Sequence, residues 1–385
     1  AIACALAGSD SVHPHAPRRL MSAPAPRQPD LAKAKTPLAE VWFIAWPTVL
    51  TMTSYTVMQF VDGLMVGRVG ALEVAAQGNG MIWAFTPVAF AMGVLTVVNT
   101  YVSQNLGAGR AERGAQYGWA GIWFAAAIWL FILVPYAAVI GALFEHVVHA
   151  PQVSRIEALL ASSDPDEVAR GVRDAKDLSA ILPMETAYSR ILLLGGIFQL
   201  AGRGIHYYFF GMHRPRIVTA AAIIGNVTNV IANYVLIFGS RGLPELGLPG
   251  VPGVPALGVV GAALGTVVGT AVEFLIPFAI FIGPKMNAAY HTRHAWRPRW
   301  KPVRDIIKIG WPAAVQFRNA ITCWAVFMST LVGTFGTLHQ TAGWIALRYM
   351  HLSFMPAVGF SVAVTSLVGK YIGAGDPDTA AKRAR

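Results

Sequence analysis

One carboxylate stands inside an otherwise apolar run. Asp62 lies in the stretch Trp46–Gly70, WPTVLTMTSYTVMQFVDGLMVGRVG, whose only other charge is Arg68. An acid at that depth either snorkels at a helix end or faces an interior cavity as a proton- or cation-binding group. Its place in an element that the chain repeats favours the second role. Gln59, three residues earlier, shares its helical face. A second polar stripe is formed by Asn226, Asn229 and Asn233, which fall at i, i+3 and i+7 on one face of a helix. A single amide would read as interhelical glue worth ~0.6 kcal/mol. Three on one stripe favour a polar cavity, and Gln199, inside a neighbouring apolar run, would support it.

The elements that hold these groups are membrane spans. The chain is 55% hydrophobic and 13% charged, with a mean hydropathy of +0.51, against roughly 25% charged residues in a soluble domain. Six apolar runs are read at about 41–66, 77–106, 115–144, 188–210, 217–238 and 258–282. The fold class is therefore all-α and polytopic, with the lipid bilayer as solvent. The net charge of +11 comes from Lys and Arg in short loops, where they set orientation and imply no nucleic acid partner. Cys4 in the leading tail and Cys323 in a span offer neither a disulfide framework nor a metal cluster. Neither HExxH nor GxSxG occurs, so an enzyme is not expected.

The first element recurs. Trp311–Gly336 reads WPAAVQFRNAITCWAVFMSTLVGTFG, and its Trp311 answers to Trp46. Gly359 answers to Gly93, and Gly373–Gly375 to Gly107–Gly109, at one common offset that exceeds the offset of the Trp pair by a single position. A register held over two spans with one slip marks an internal repeat. The expected organisation is a disordered tail at 1–40, a first six-helix lobe at 41–283 with a polar loop at 145–187, a basic linker at 284–304, and the start of a second lobe at 305–385. The polar loop, with its N-cap at Ser163 or Asp164, reads as a solvated amphipathic helix and is assigned no chemistry.

Basic residues in alternate segments number 18 on one side and 6 on the other, which places the tail and the linker in the cytosol. An even number of spans before the linker makes the two copies parallel repeats, related by an axis along the membrane normal.

The chain resembles the multidrug and toxic compound extrusion (MATE) family of secondary transporters. The resemblance rests on WP with VDGLMVGRVG, SQNLGAG, GMHRPR, NVTNVIANYVLIFG and GVVGAALGT, and on WPAAVQ with LVGKYIGAGDPDTAAKRAR in the second copy. It implies two six-helix lobes in the plasma membrane around a cleft open to one side at a time. It also implies export of amphiphilic or cationic small molecules driven by inward H⁺ or Na⁺. Carried over by motif, the cation-coupling residues are Asp62, Asn229, Asn233 and Thr266, with Gln59, Asn226 and Gln199 as supporting groups. Asn233 stands where an Asp is often found, which favours H⁺ over Na⁺. No cofactor is expected beyond a bound Na⁺ at that site. Met58, Phe60, Trp83 and Phe198 are candidates for the substrate cleft.

A flippase for a lipid-linked saccharide or peptidoglycan precursor is the rival reading, carried by Arg203, Arg318 and Arg348, which would make a basic cleft. After Arg304 the sequence has room for two spans of ~20 residues, so the second lobe is expected to hold two helices of six.

Overall fold

A computed structural model describes residues 37–244 and 247–384; most of the predicted tail lies outside the described residues. Twelve α-helices are seen among those residues. The first eight are α1 (Pro37–Gly67), α2 (Ala71–Gly107), α3 (Ala111–Ile128), α4 (Val134–Leu143), α5 (Ala150–Leu160), α6 (Pro165–Gly211), α7 (Pro215–Asn233) and α8 (Gly258–Phe281). The short α9 (Pro284–Tyr290) leads to α10 (Trp300–Val326), α11 (Thr337–Gly373) and α12 (Pro377–Ala384). One π-helical turn, Trp129–Leu133, joins α3 to α4, and a second, Phe144–Val148, extends α4. Pro135 thus follows a widened turn and leaves the 38-residue run Ala111–Val148 unbroken.

Six of the helical runs are long and apolar enough to cross a membrane. The two Trp-Pro helices, α1 and α10, are not among them. Their length suffices, at 31 and 27 residues, but Thr, Ser, Gln, Asn and Arg side chains lower their hydropathy. They lie against apolar helices, α1 along α7 and α11, and α10 along α2. The polar loop expected at 145–187 is instead a helical hairpin: α5 turns back into α6, which continues without a break to Gly211. At 47 residues, α6 is about 70 Å long. Asp164 caps it, its Oδ1 accepting from the Asp166 amide at 2.9 Å.

Contacts of α1 and α2 with α10 and α11 come in matched pairs. Gly93 of α2 lies so close to Ala314 of α10 that a Cβ would meet its backbone, and Gly359 of α11 meets the backbone of Val49 in α1 in the same way. In the repeat register Gly359 answers to Gly93, and Ala314 to Val49. The second helices, α2 and α11, run side by side and parallel. Gly78 faces Trp344 and Ser103 faces Gly369, and in each pair the two residues hold equivalent places in the register of α2 and α11. Small residues at such crossings let backbones approach, and packing supplies the association energy where lipid gives no hydrophobic drive.

The one-residue slip has a physical location. The repeat offset is shorter by one position at the start of α10 than in α11, and between them Phe327–Leu331 forms a π-helical turn, while α1 is α-helical throughout. A π turn holds one extra residue without disturbing the helix on either side.

Candidate functional site

Asp62 lies near the end of α1 that approaches α7 and α8. Its Oδ1 accepts a 2.6 Å hydrogen bond from Asn233 Nδ2, and the same amide reaches Asn229 Oδ1 at 3.4 Å. Asp62 is 6% exposed, Asn229 1% and Asn233 fully buried. A stripe on α8 permits this closeness: Gly265 faces the Asn233 side chain and Gly269 the Asn229 side chain, each at a distance a Cβ would violate. The structure thus brings Asp62, Asn229 and Asn233 together across two helices. Thr266 is half-buried in the next position of α8, its hydroxyl donating to Ala262 O at 2.9 Å on its own helix. Asn233 Oδ1 and Asn229 Nδ2 have no protein partner. The orphaned Asn233 oxygen and the Asp62 carboxylate are the kind of oxygen set that a hard cation takes.

Two helical turns toward the linker end lies a second polar level, in which the sequence reading gave a role only to Asn226 and Arg203. Tyr55 donates to Glu273 Oε1, His206 Nδ1 stands 3.6 Å from the same oxygen, and the Arg203 guanidinium stacks over the Tyr55 ring at 4.7 Å. Asn226 belongs here and donates to Ser54 Oγ at 3.0 Å. The signal was in the spacing: Tyr55 to Asp62, Asn226 to Asn233 and Thr266 to Glu273 are each seven residues apart, which stacks the two levels about 10.5 Å apart along three helices. Gln59 and Gln199 are half-buried.

The residues proposed for the cleft have different partners. Trp83 is buried and donates to Ser329 Oγ at 3.1 Å. Phe60 packs edge-on against Tyr349 at 5.6 Å, Phe198 lies 6.4 Å from Phe274 within the first lobe, and Met58 is half-buried. An apolar groove lies elsewhere, between α3 and α10, lined by Trp123, Phe131, Trp300 and Ile307. Of the arginines invoked for a basic cleft, Arg203 is sequestered over Tyr55, Arg318 is exposed on α10, and the Arg348 side chain lies outside the described residues.

At the hairpin end, a third network crosses between the copies. His149 Nε2 and Glu185 Oε1 are 2.5 Å apart, their side chains 3% and 0% exposed. Asn79 Nδ2 donates to Glu185 Oε2 at 3.3 Å, and Asn79 Oδ1 accepts from Gln340 at 3.0 Å and Ser329 at 3.2 Å. Arg155 of α5 donates to Thr334 O in the turn between α10 and α11. Burial alone would push the His149 imidazole down. The hydrogen bond and charge of Glu185 outweigh it, so the ring protonates above its ordinary 6.5.

Helices that bury acids and amides between them, six of the helical runs being long and apolar enough to cross a membrane, give the fold of a polytopic membrane protein. Solved structures share it: an outward-facing multidrug resistance MATE family transporter of the MOP superfamily aligns with a TM-score of 0.69 at 17% identity, covering 93% of this chain and 70% of that one. A sequence profile of the family, MatE, matches residues 47–161 and 312–385. A probable multidrug resistance protein NorM of Pseudomonas putida is 27% identical over 343 residues, covering 89% of this chain and 65% of its own length. That of Bradyrhizobium diazoefficiens is 30% identical over 338 residues, with coverages of 87% and 63%. The chain belongs to the MATE family, and it spans somewhat under two thirds of the length of these relatives.

Proposed function

We propose that the protein exports amphiphilic or cationic small molecules by cation-coupled antiport, with Asp62 as the coupling carboxylate. The observation that carries this reading is the hydrogen bond from Asn233 Nδ2 to a buried Asp62 across α1 and α7. An ionised carboxylate accepts that bond. A protonated or cation-loaded one competes with it, so loading changes how α1 sits against α7. A ligand shifts an equilibrium between two packings by its differential affinity for them. With one carboxylate and two amides, the charge at the site matches a proton better than Na⁺. The names of the NorM relatives support multidrug export as the transported class.

The matched contacts between copies support two parallel repeats about an axis between α2 and α11, and the charge asymmetry supports an extracellular hairpin end. The sequestration of Arg203 over Tyr55, beside Glu273, counts against the basic cleft a precursor flippase would use.

Dye efflux from vesicles carrying the protein, under an imposed H⁺ or Na⁺ gradient, tests the reading. Asp62→Asn keeps the shape and loses the charge change; it is expected to insert normally and abolish gradient-driven efflux. Asn233→Asp adds a second negative oxygen ligand and shifts coupling toward Na⁺. Wild-type efflux by Asp62→Asn under both gradients would reduce Asp62 to a helix-end acid.

A further inference from the structure

We infer that the buried His149–Glu185 pair is a second proton-binding site, which takes up one proton from the hairpin side when the two copies close against each other there. The inference rests on the alternating-access reading above and concerns the network at the opposite end of α2 from the linker.

The count of protons follows from donor direction. Gln152 presents its carbonyl Oε1 to His149 Nδ1 at 2.7 Å, and a carbonyl oxygen only accepts, so Nδ1 carries a hydrogen. The Nε2 to Glu185 Oε1 contact of 2.5 Å also needs a proton, on one atom or the other. Glu185 Oε2 is satisfied as an acceptor by Asn79 Nδ2. The closed pair therefore holds two protons, one more than a neutral imidazole and a carboxylate. Hydrated once α11 and the π turn after α10 draw away from them, the two groups carry only that single hydrogen above pH ~6.5. Closure must then bind one proton, and the two groups remain bonded as imidazolium and carboxylate, or as imidazole and carboxylic acid.

The neighbours of the pair show what it holds shut. Asn79 links Glu185 to Gln340 of α11 and to Ser329 in the π turn after α10. The groups facing the pair from α2, α10 and α11 are thus amides and a hydroxyl, none of which titrates. From the hairpin itself, Arg155, Asp174 and Asp177 line a small cavity that reaches His149, which gives protons a polar approach. Without its proton, the pair would leave a carboxylate buried beside a neutral ring, a costly state that favours opening.

Spin labels at Ser163→Cys in the hairpin turn and Leu338→Cys at the start of α11 report closure, in a chain with Cys4 and Cys323 replaced by Ala. Both positions are exposed. The measurement uses reconstituted protein with no gradient and no cargo, so a failure of Asp62 coupling leaves it unaffected. The expected result is a ratio of closed to open molecules that falls about tenfold per pH unit above pH ~7, one proton per closure. Glu185→Gln supplies a permanent N–H toward His149, and His149→Gln removes the titrating ring; each is expected to give a pH-independent ratio. A wild-type ratio that does not change between pH 6 and 9, or a wild-type titration surviving in either variant, overturns the inference.

Discussion

The two Trp-Pro helices, α1 and α10, occupy matching places and differ in chemistry. Each carries Trp-Pro in its first half, and each lies along the second helix of the other copy, with a glycine of that helix at its backbone. At the position of Asp62, counted from Trp46, the π turn after α10 carries Phe327. The acid is 6% exposed and the phenylalanine 46%. The difference lies in what flanks them: α7 and α8 cover the end of α1 with amides and glycines, whereas the phenylalanine meets no comparable cover among the described residues. A repeat can copy backbone contacts freely, because close packing asks only for small residues. A carboxylate survives in hydrocarbon only where another helix brings partners.

The ends of the helix bundle make a second contrast. At the linker end the copies match: Glu40 accepts from Tyr371 and from Arg383 at 2.8 Å, and Asp305 accepts from Tyr117 at 3.1 Å. In the repeat register Asp305 answers to Glu40, and Arg383 to Tyr117. At the hairpin end symmetry is lost, because α5 and the first turns of α6 belong to the first copy and reach over to the second.

The comparison of α1 with α10 breaks most visibly by deletion. Removing Leu331 takes the extra residue out of the π turn and leaves α-helix, so the chain is expected to insert and melt within a few degrees of wild type. Removing Leu64 from regular helix rotates everything after it by about 100°, and folded protein should be lost on size-exclusion chromatography.

Phe327→Asp comes next. An acid at an uncovered span position costs ~2.5–3.5 kcal/mol, to be read as a fall in the inserted fraction, and it is expected not to restore efflux to Asp62→Asn. Gly265→Ala places a methyl against the Asn233 amide, and overpacking of this kind costs ~1–3 kcal/mol. Its signature is a lowered melting temperature together with weakened coupling, whereas Ala at exposed Val268 should change neither. A smaller effect is expected from Glu40→Gln, which weakens a charge-assisted bond to partly exposed Arg383 by about 1 kcal/mol. Asp305→Asn, which has no arginine partner among the described contacts, should shift the melting temperature less.

Much of this was legible in the residues alone. Composition pointed to an all-helical membrane chain, and the near-constant offset pointed to a correspondence of α1 with α10 and of α2 with α11. The i, i+3, i+7 spacing placed three asparagines on one face, because helical periodicity is a local property that sequence states directly. The second polar level was recoverable in principle from the seven-residue spacings, yet no spacing says which helices will be neighbours.

Other features were decided by tertiary structure. That α7 and α8 close on Asp62, that Trp83 turns into a hydrogen-bonded clasp, and that a polar segment becomes a hairpin seated on the other copy all depend on contacts between residues far apart in the chain. Glu185 shows the reason. In sequence it is one acid among many in a polar stretch. Only the approach of His149, Asn79 and Gln340 from three other elements removes it from water and gives its proton a fixed partner.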